Sequence, residues 1–191
     1  MTLATKITVC RIILIPVFAA FAVSYGRSVG GGTPHENLRW MALTVFITAA
    51  ASDGVDGWIA RRFDQCSELG AFLDPIADKA LVLTAIIILS IVDWGAPGWR
   101  LPLWFITLVI ARDSIILAGI RYLNHAKHKV AIRPHWTGKA CTFSLFFVLG
   151  WMMLGPLPVP LDYICAIAGV FLSWSMVIYI RHGLEILRQP V

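Results

Sequence analysis

Apolar residues run in long stretches along this chain, and short polar or Gly/Pro-rich segments separate them. A helix that crosses hydrocarbon needs about 20 mainly apolar residues. Residues 7 to 25 supply the first stretch, closed by Tyr25-Gly26-Arg27 and by the Gly30-Gly31-Gly32-Thr33-Pro34 turn. The second starts near Asn37, passes through Trp40 and Ala51, and ends near Arg61-Arg62. The third runs from Phe72 to Val92, where Asp93-Trp94-Gly95-Ala96-Pro97-Gly98 breaks it, and the fourth covers 101 to 123. A short fifth spans 139 to 154, a Pro-rich turn follows from Gly155 to Pro160, and 161 to 181 form the sixth. The pattern predicts an all-α, polytopic membrane helix bundle: six transmembrane helices in a single domain over residues 1–191, with both termini on one side.

Composition agrees, since 58% of the residues are hydrophobic and only 14% charged, whereas soluble domains carry about 25% charged residues. The 16 Lys and Arg outnumber the 11 Asp and Glu. A nucleic-acid partner is not indicated, because no basic strip interleaved with exposed aromatics accompanies the surplus. Topology explains it better. Alternating loops put ten cations (Lys6, Arg61, Arg62, Arg121, Lys127, Lys129, Arg133, Lys139, Arg181 and Arg188) on the side of the termini, against Arg27, Arg39 and Arg100 opposite. Basic residues stay cytoplasmic, so the expected location is the inner membrane, with both termini facing the cytoplasm. Lys6 and Arg11 ahead of an apolar run also fit a cleaved signal peptide, but the further spans favour a retained helix. Cys10, Cys66, Cys141 and Cys165 are scattered, with no C-x-x-C pair, and read as small apolar packers.

Against this background residues 53 to 78 stand out, for among their acids are Asp53, Asp56, Asp74 and Asp78. A carboxylate in or near hydrocarbon is costly unless paired, hydrated or bound to a cation. Asp53 and Asp56 are three apart and Asp74 and Asp78 four apart, spacings that keep each pair on one helical face. Such oxygen ligands suit hard divalent cations, Mg2+ or Mn2+, while zinc would favour His or Cys ligands, of which residues 53 to 78 hold Cys66 alone. Gly57 and Gly70 leave room for close approach to the backbone, and Arg61 between them offers a planar fork suited to phosphate. At a rise of about 1.5 Å per residue from Leu38, Asp53 and Asp56 lie roughly 22 and 27 Å along their helix, past the middle of a core about 30 Å thick. That height suits a site that takes a lipid head group and a water-soluble reagent together.

The order D-x-x-D-G-x-x-A-R-x8-G-x-x-x-D-x-x-x-D resembles the signature of the CDP-alcohol phosphatidyltransferases, matched by Asp53, Asp56, Gly57, Ala60, Arg61, Gly70, Asp74 and Asp78. Thr8-Val9-Cys10-Arg11, Ile110-Ala111-Arg112-Asp113 and Gly138-Lys139 extend the similarity over roughly residues 3 to 181. The resemblance implies displacement at the diphosphate of CDP-diacylglycerol by an alcohol, with release of CMP. It further implies nucleotide contacts from Thr8, Gly57, Ala60, Arg61 and Gly70, and a homodimer. Two metal ions held by Asp53, Asp56, Asp74 and Asp78 would make a diphosphate compatible with a carboxylate cluster. Asp78, last in the signature, corresponds to the family's proposed base.

Plainer readings stand beside these. Asp74-Pro75 also fits a helix N-cap followed by a first-turn proline; Arg61-Arg62 fits a cytoplasmic anchor; Gly57 and Gly70 fit close helix packing. Arg112 and Asp113 read either as a structural ion pair or as a pair facing a polar cavity for an anionic acceptor. Arg133 and Lys139, in a stretch rich in cations, read either as an inner-face attraction for anionic lipids or as clamps for an acceptor phosphate. An acceptor such as glycerol 3-phosphate would need such clamps, and the resemblance, strongest to the members that form phosphatidylglycerophosphate, implies that acceptor. Alternatives are the cardiolipin-forming type that uses phosphatidylglycerol and, in another class, a divalent-cation carrier.

Overall fold

A computed structural model describes residues 3–63, 68–126, 136–155 and 159–188, with the side chains of 53–63, 68–76, Asp78 and Lys139 among those outside the description. Within the described residues the chain is all-helical, with α1 Leu3–Gly30, α2 Glu36–Phe63, α3 Glu68–Ile91, α4 Leu103–Ala126, α5 Trp136–Met153 and α6 Leu161–Arg188. Thr8–Gly30, Leu103–Leu123 and Leu161–Glu185 are apolar over membrane-spanning length, and Lys79–Ile91 and Ala140–Met153 are shorter apolar runs. The six expected helices are therefore present, three of them with a clear span.

Two local outcomes differ from the expectation. α1 continues to Gly30, because Gly31 N donates to Arg27 O at 2.9 Å and the helix stops only at Gly32, whose φ of 76° is left-handed. Glycine adopts that conformation without a Cβ penalty. α3 begins at Glu68, so Asp74-Pro75 lies in its second turn and not at its N-cap. A proline there forfeits one intrahelical hydrogen bond, and Glu68, Leu69, Ala71 and Leu73 favour helix around it.

The chain divides into two compact units. The first comprises Met1–Arg100 with Leu149–Leu157. Its core is built from positions three or four apart: Phe18, Ala22, Tyr25 and Val29 of α1, Ala42, Phe46 and Ala49 of α2, and Ala77, Leu81, Ala85 and Leu89 of α3. α1 lies antiparallel to α2, as Phe18 meets Phe46 with ring centroids 5.6 Å apart and Tyr25 Oη donates to Glu36 Oε1 at 3.4 Å. Against α3 it runs parallel, Gly26 resting on Val92 and the Tyr25 ring meeting Trp94 edge-on at 4.7 Å. The buried Trp94 donates from Nε1 to the carbonyl of Met153 at 3.0 Å, which ties the end of α5 to this unit.

The second unit comprises Leu101–Val148 with Pro158–Val191. Here α4 and α6 run parallel: Gly169 sits under Trp104, Arg112 meets Ser175, and Leu123 lies beside Gly183. Gly138 permits α5 to approach α6, where an added Cβ would lie 3.1 Å from Tyr179 Oη. Cys141 and Cys165 are buried packers, as expected, whereas Cys10 is exposed; Cys66 lies outside the described residues.

Candidate active site

Contacts between the three helices of the first unit define where the signature falls. Starting from the Phe18–Phe46 pair, seven residues toward the start of α1 reach Arg11, and seven toward the end of α2 reach Asp53. Seven residues make two helical turns, about 10.5 Å, so both steps stay on the face they began on. Asp56 stands seven residues beyond the buried Ala49 in the same way.

α3 closes the comparison. Val92, the residue after α3, still donates its N to Ile88 O at 3.0 Å, and it faces Gly26. Eighteen residues back along both helices, five turns, stand Thr8 and Asp74. Asp78 lies seven residues before the buried Ala85, and Asp74 seven before the buried Leu81. All four acids thus occupy backbone positions level with the Thr8 to Ile12 segment of α1.

The two acid-bearing helices also mirror each other about their connection. Asp56 is seven residues before the end of α2 and Asp74 six after the start of α3, while Asp53 and Asp78 are each ten residues from those ends. Measured along each axis, the acids form two levels, near 10 and near 15 Å from the connection. Gly57, Ala60 and Arg61 occupy the turns of α2 between these levels and its end, and Gly70 the first turn of α3.

At this level one face of α1 is polar and enclosed, since Thr8 and Arg11 are wholly buried while Cys10 and Ile12 on its other side are exposed. A buried guanidinium in a greasy bundle demands anionic or polar surroundings. The sequence suggested Thr8 through its motif; the full burial of Arg11 comes from the packing of α1. Among the described residues no group of three His, Cys, Asp or Glu is placed to hold a metal, so the candidate metal centre rests on the signature acids alone.

In the second unit Arg112 pairs with the adjacent Asp113, Nη1 to Oδ1 at 2.6 Å, and its Nη2 donates to the buried Ser175 Oγ at 3.4 Å. Its Nε is buried without a hydrogen-bond partner among the described residues. The ion pair expected from the sequence is therefore formed. Ser175 was missed, although a hydroxyl inside an apolar helix is a signal that a polar partner faces it. Lys139 lies in the first turn of α5, and Arg133 lies outside the described residues.

Residues 1–180 match the family described as CDP-alcohol phosphatidyltransferase. The chain is 33% identical over 187 residues to a probable phosphatidylglycerophosphate synthase of Mycobacterium tuberculosis (strain CDC 1551 / Oshkosh), covering 96% of this chain and 82% of the relative. It is 31% identical over 184 residues to the CDP-diacylglycerol--glycerol-3-phosphate 3-phosphatidyltransferase of Escherichia coli (strain K12), covering 92% of this chain and 91% of that one. The protein of that name from Shigella flexneri serotype 5b shows the same identity and coverage.

Proposed function

Because this chain belongs to the CDP-alcohol phosphatidyltransferase family, we propose that it transfers the phosphatidyl group of CDP-diacylglycerol to glycerol 3-phosphate and releases CMP. The observation that carries this reading is the level shared by the backbone positions of Asp53, Asp56, Asp74 and Asp78 and the buried Thr8 and Arg11 of α1. The names of the relatives favour glycerol 3-phosphate over phosphatidylglycerol as acceptor.

The donor set fits a hard divalent cation, being four carboxylates on two neighbouring helices. Mg2+ or Mn2+, most simply two ions held by Asp53, Asp56, Asp74 and Asp78, would supply charge neutralisation at the diphosphate when bound. Arg61, with Gly57, Ala60, Gly70 and Thr8 around the nucleotide, holds the CMP half against the α2 and α3 backbones. Asp78 accepts the proton of the acceptor hydroxyl as its oxygen bonds to the lipid-side phosphorus. The bond from that phosphorus to the bridging oxygen breaks, and CMP departs with the electron pair. Arg112, Arg133 and Lys139 orient the acceptor phosphate by charge-assisted hydrogen bonds.

We read the chain as one family domain, since the match runs from residue 1 to 180. Six crossings with cytoplasmic termini in the inner membrane are supported by the ten-against-three distribution of cations. A homodimer follows from the family resemblance alone, and crosslinking in membranes tests it.

The decisive assay supplies purified protein with CDP-diacylglycerol, Mg2+ or Mn2+ and one alcohol at a time, and follows CMP. Release with glycerol 3-phosphate supports the assignment. Release only with phosphatidylglycerol makes the chain cardiolipin-forming, and cation uptake without CMP makes it a carrier.

A further inference from the structure

Outside the signature region, the parallel pair α4 and α6 leaves a groove of about 780 Å³ on the second unit. Its walls include Trp104, Leu108, Val170, Trp174 and Val177, and Arg181 stands at one end. Trp174 and Val170 are each 66% exposed. The floor depends on Gly169, where a Cβ would lie 3.3 Å from the Trp104 ring and 3.5 Å from Leu108.

Both helices are apolar over membrane-spanning length, so the walls of the groove lie among lipid tails. From Gly169 to Arg181 is twelve residues of α6, a rise of about 18 Å. One leaflet of hydrocarbon is about 15 Å deep, half of the 30 Å core. The groove therefore has the length of one leaflet, apolar along its course but for Ser173, with the exposed Arg181 where the head groups begin. That distribution complements an amphiphile with a hydrocarbon tail and a phosphate at one end.

We propose that the α4–α6 groove binds one anionic phospholipid of the surrounding leaflet, an acyl chain lying over Gly169 and the phosphate held by Arg181. This is a lipid site in addition to the one where the CDP-linked lipid reacts, and none of its residues belongs to the signature. It does not depend on which alcohol is the acceptor.

Native mass spectrometry of the purified full chain tests this, counting phospholipids retained per chain after exchange into equal amounts of phosphatidylglycerol or phosphatidylcholine. The intact protein should retain the anionic lipid about fivefold better. Arg181→Gln, a change at an exposed position, should bring the two within about twofold, and Gly169→Leu should remove the retained molecule of either lipid. Equal retention by the unaltered protein, or a preference that survives Arg181→Gln, overturns the proposal. So does a Gly169→Leu protein that keeps its lipid and loses a dimer, since the groove would then be covered by a second copy of the chain.

Discussion

Gly26 of α1 and Val92 at the end of α3 approach so closely that a Cβ on Gly26 would lie 2.8 Å from Val92 Cγ2. No L side chain fits there unless Val92 moves. The contact sets α1 and α3 in the parallel register that levels Thr8 with Asp74, although it lies about 27 Å away along the axis.

Gly26→Ala should accordingly destabilise the protein by about 1–3 kcal/mol, as overpacking in a tight core does. Thermal unfolding in detergent measures this. Combining it with Val92→Gly, which removes the Cβ that the added methyl meets first as well as both Cγ atoms, should recover most of the loss, because the two sites interact directly; additive losses would mean that the clash is not the cause.

Asp78→Asn keeps the shape of the side chain and removes its basicity. Turnover should drop by about a hundredfold to ten-thousandfold, while retention of CDP-diacylglycerol by the purified variant stays within a few fold. Substantial residual turnover would remove Asp78 from the proton-accepting role.

Chelation provides a separate check on the four acids. Ethylenediaminetetraacetate should abolish CMP release, Mg2+ or Mn2+ should restore it, and titration calorimetry should register cation binding that Asp53→Asn and Asp74→Asn weaken. Full activity in chelator sinks the metal assignment.

Replacing Arg133 or Lys139 by Ala should raise the KM for glycerol 3-phosphate more than that for CDP-diacylglycerol, because a lost phosphate clamp weakens one substrate. Equal changes in both would assign these cations to the membrane surface.

At the start of the α3–α4 connection, Asp93 Oδ1 accepts from Arg100 Nε at 2.7 Å and from Gly98 N at 2.9 Å. The Arg100 guanidinium, helped by that amide, holds the Asp93 carboxyl below its usual value of 3.8. A depressed folded-state pKa contributes stability above the unfolded value, and this is lost as pH falls through the folded one. The unaltered protein should therefore lose an increment of thermal stability below about pH 3.8 that Asp93→Asn, already lacking it at pH 7, does not lose. The pair is exposed, so the increment is small. Identical pH profiles would leave the clasp without energetic weight.

Much of this protein was legible in its residues before any packing was considered. In hydrocarbon each helix must satisfy its own backbone hydrogen bonds, so apolar length and Gly/Pro breaks foretell helices locally, and all six expected ones occur. The signature from Asp53 to Asp78 likewise pointed to the family that residues 1–180 match, and its carboxylates drew notice because charge is costly in a greasy chain. The Asp74-Pro75 N-cap reading failed because flanking residues of strong helix preference carried α3 back to Glu68.

Which residues come level with which was decided only by the tertiary structure. Register between helices depends on single close approaches of positions far apart in the chain, Gly26 on Val92, Phe18 on Phe46 and Gly169 under Trp104. No local period encodes these. Side-chain fit between neighbouring helices selects them, and that fit also buries Arg11 and gives Arg112 its partner Ser175.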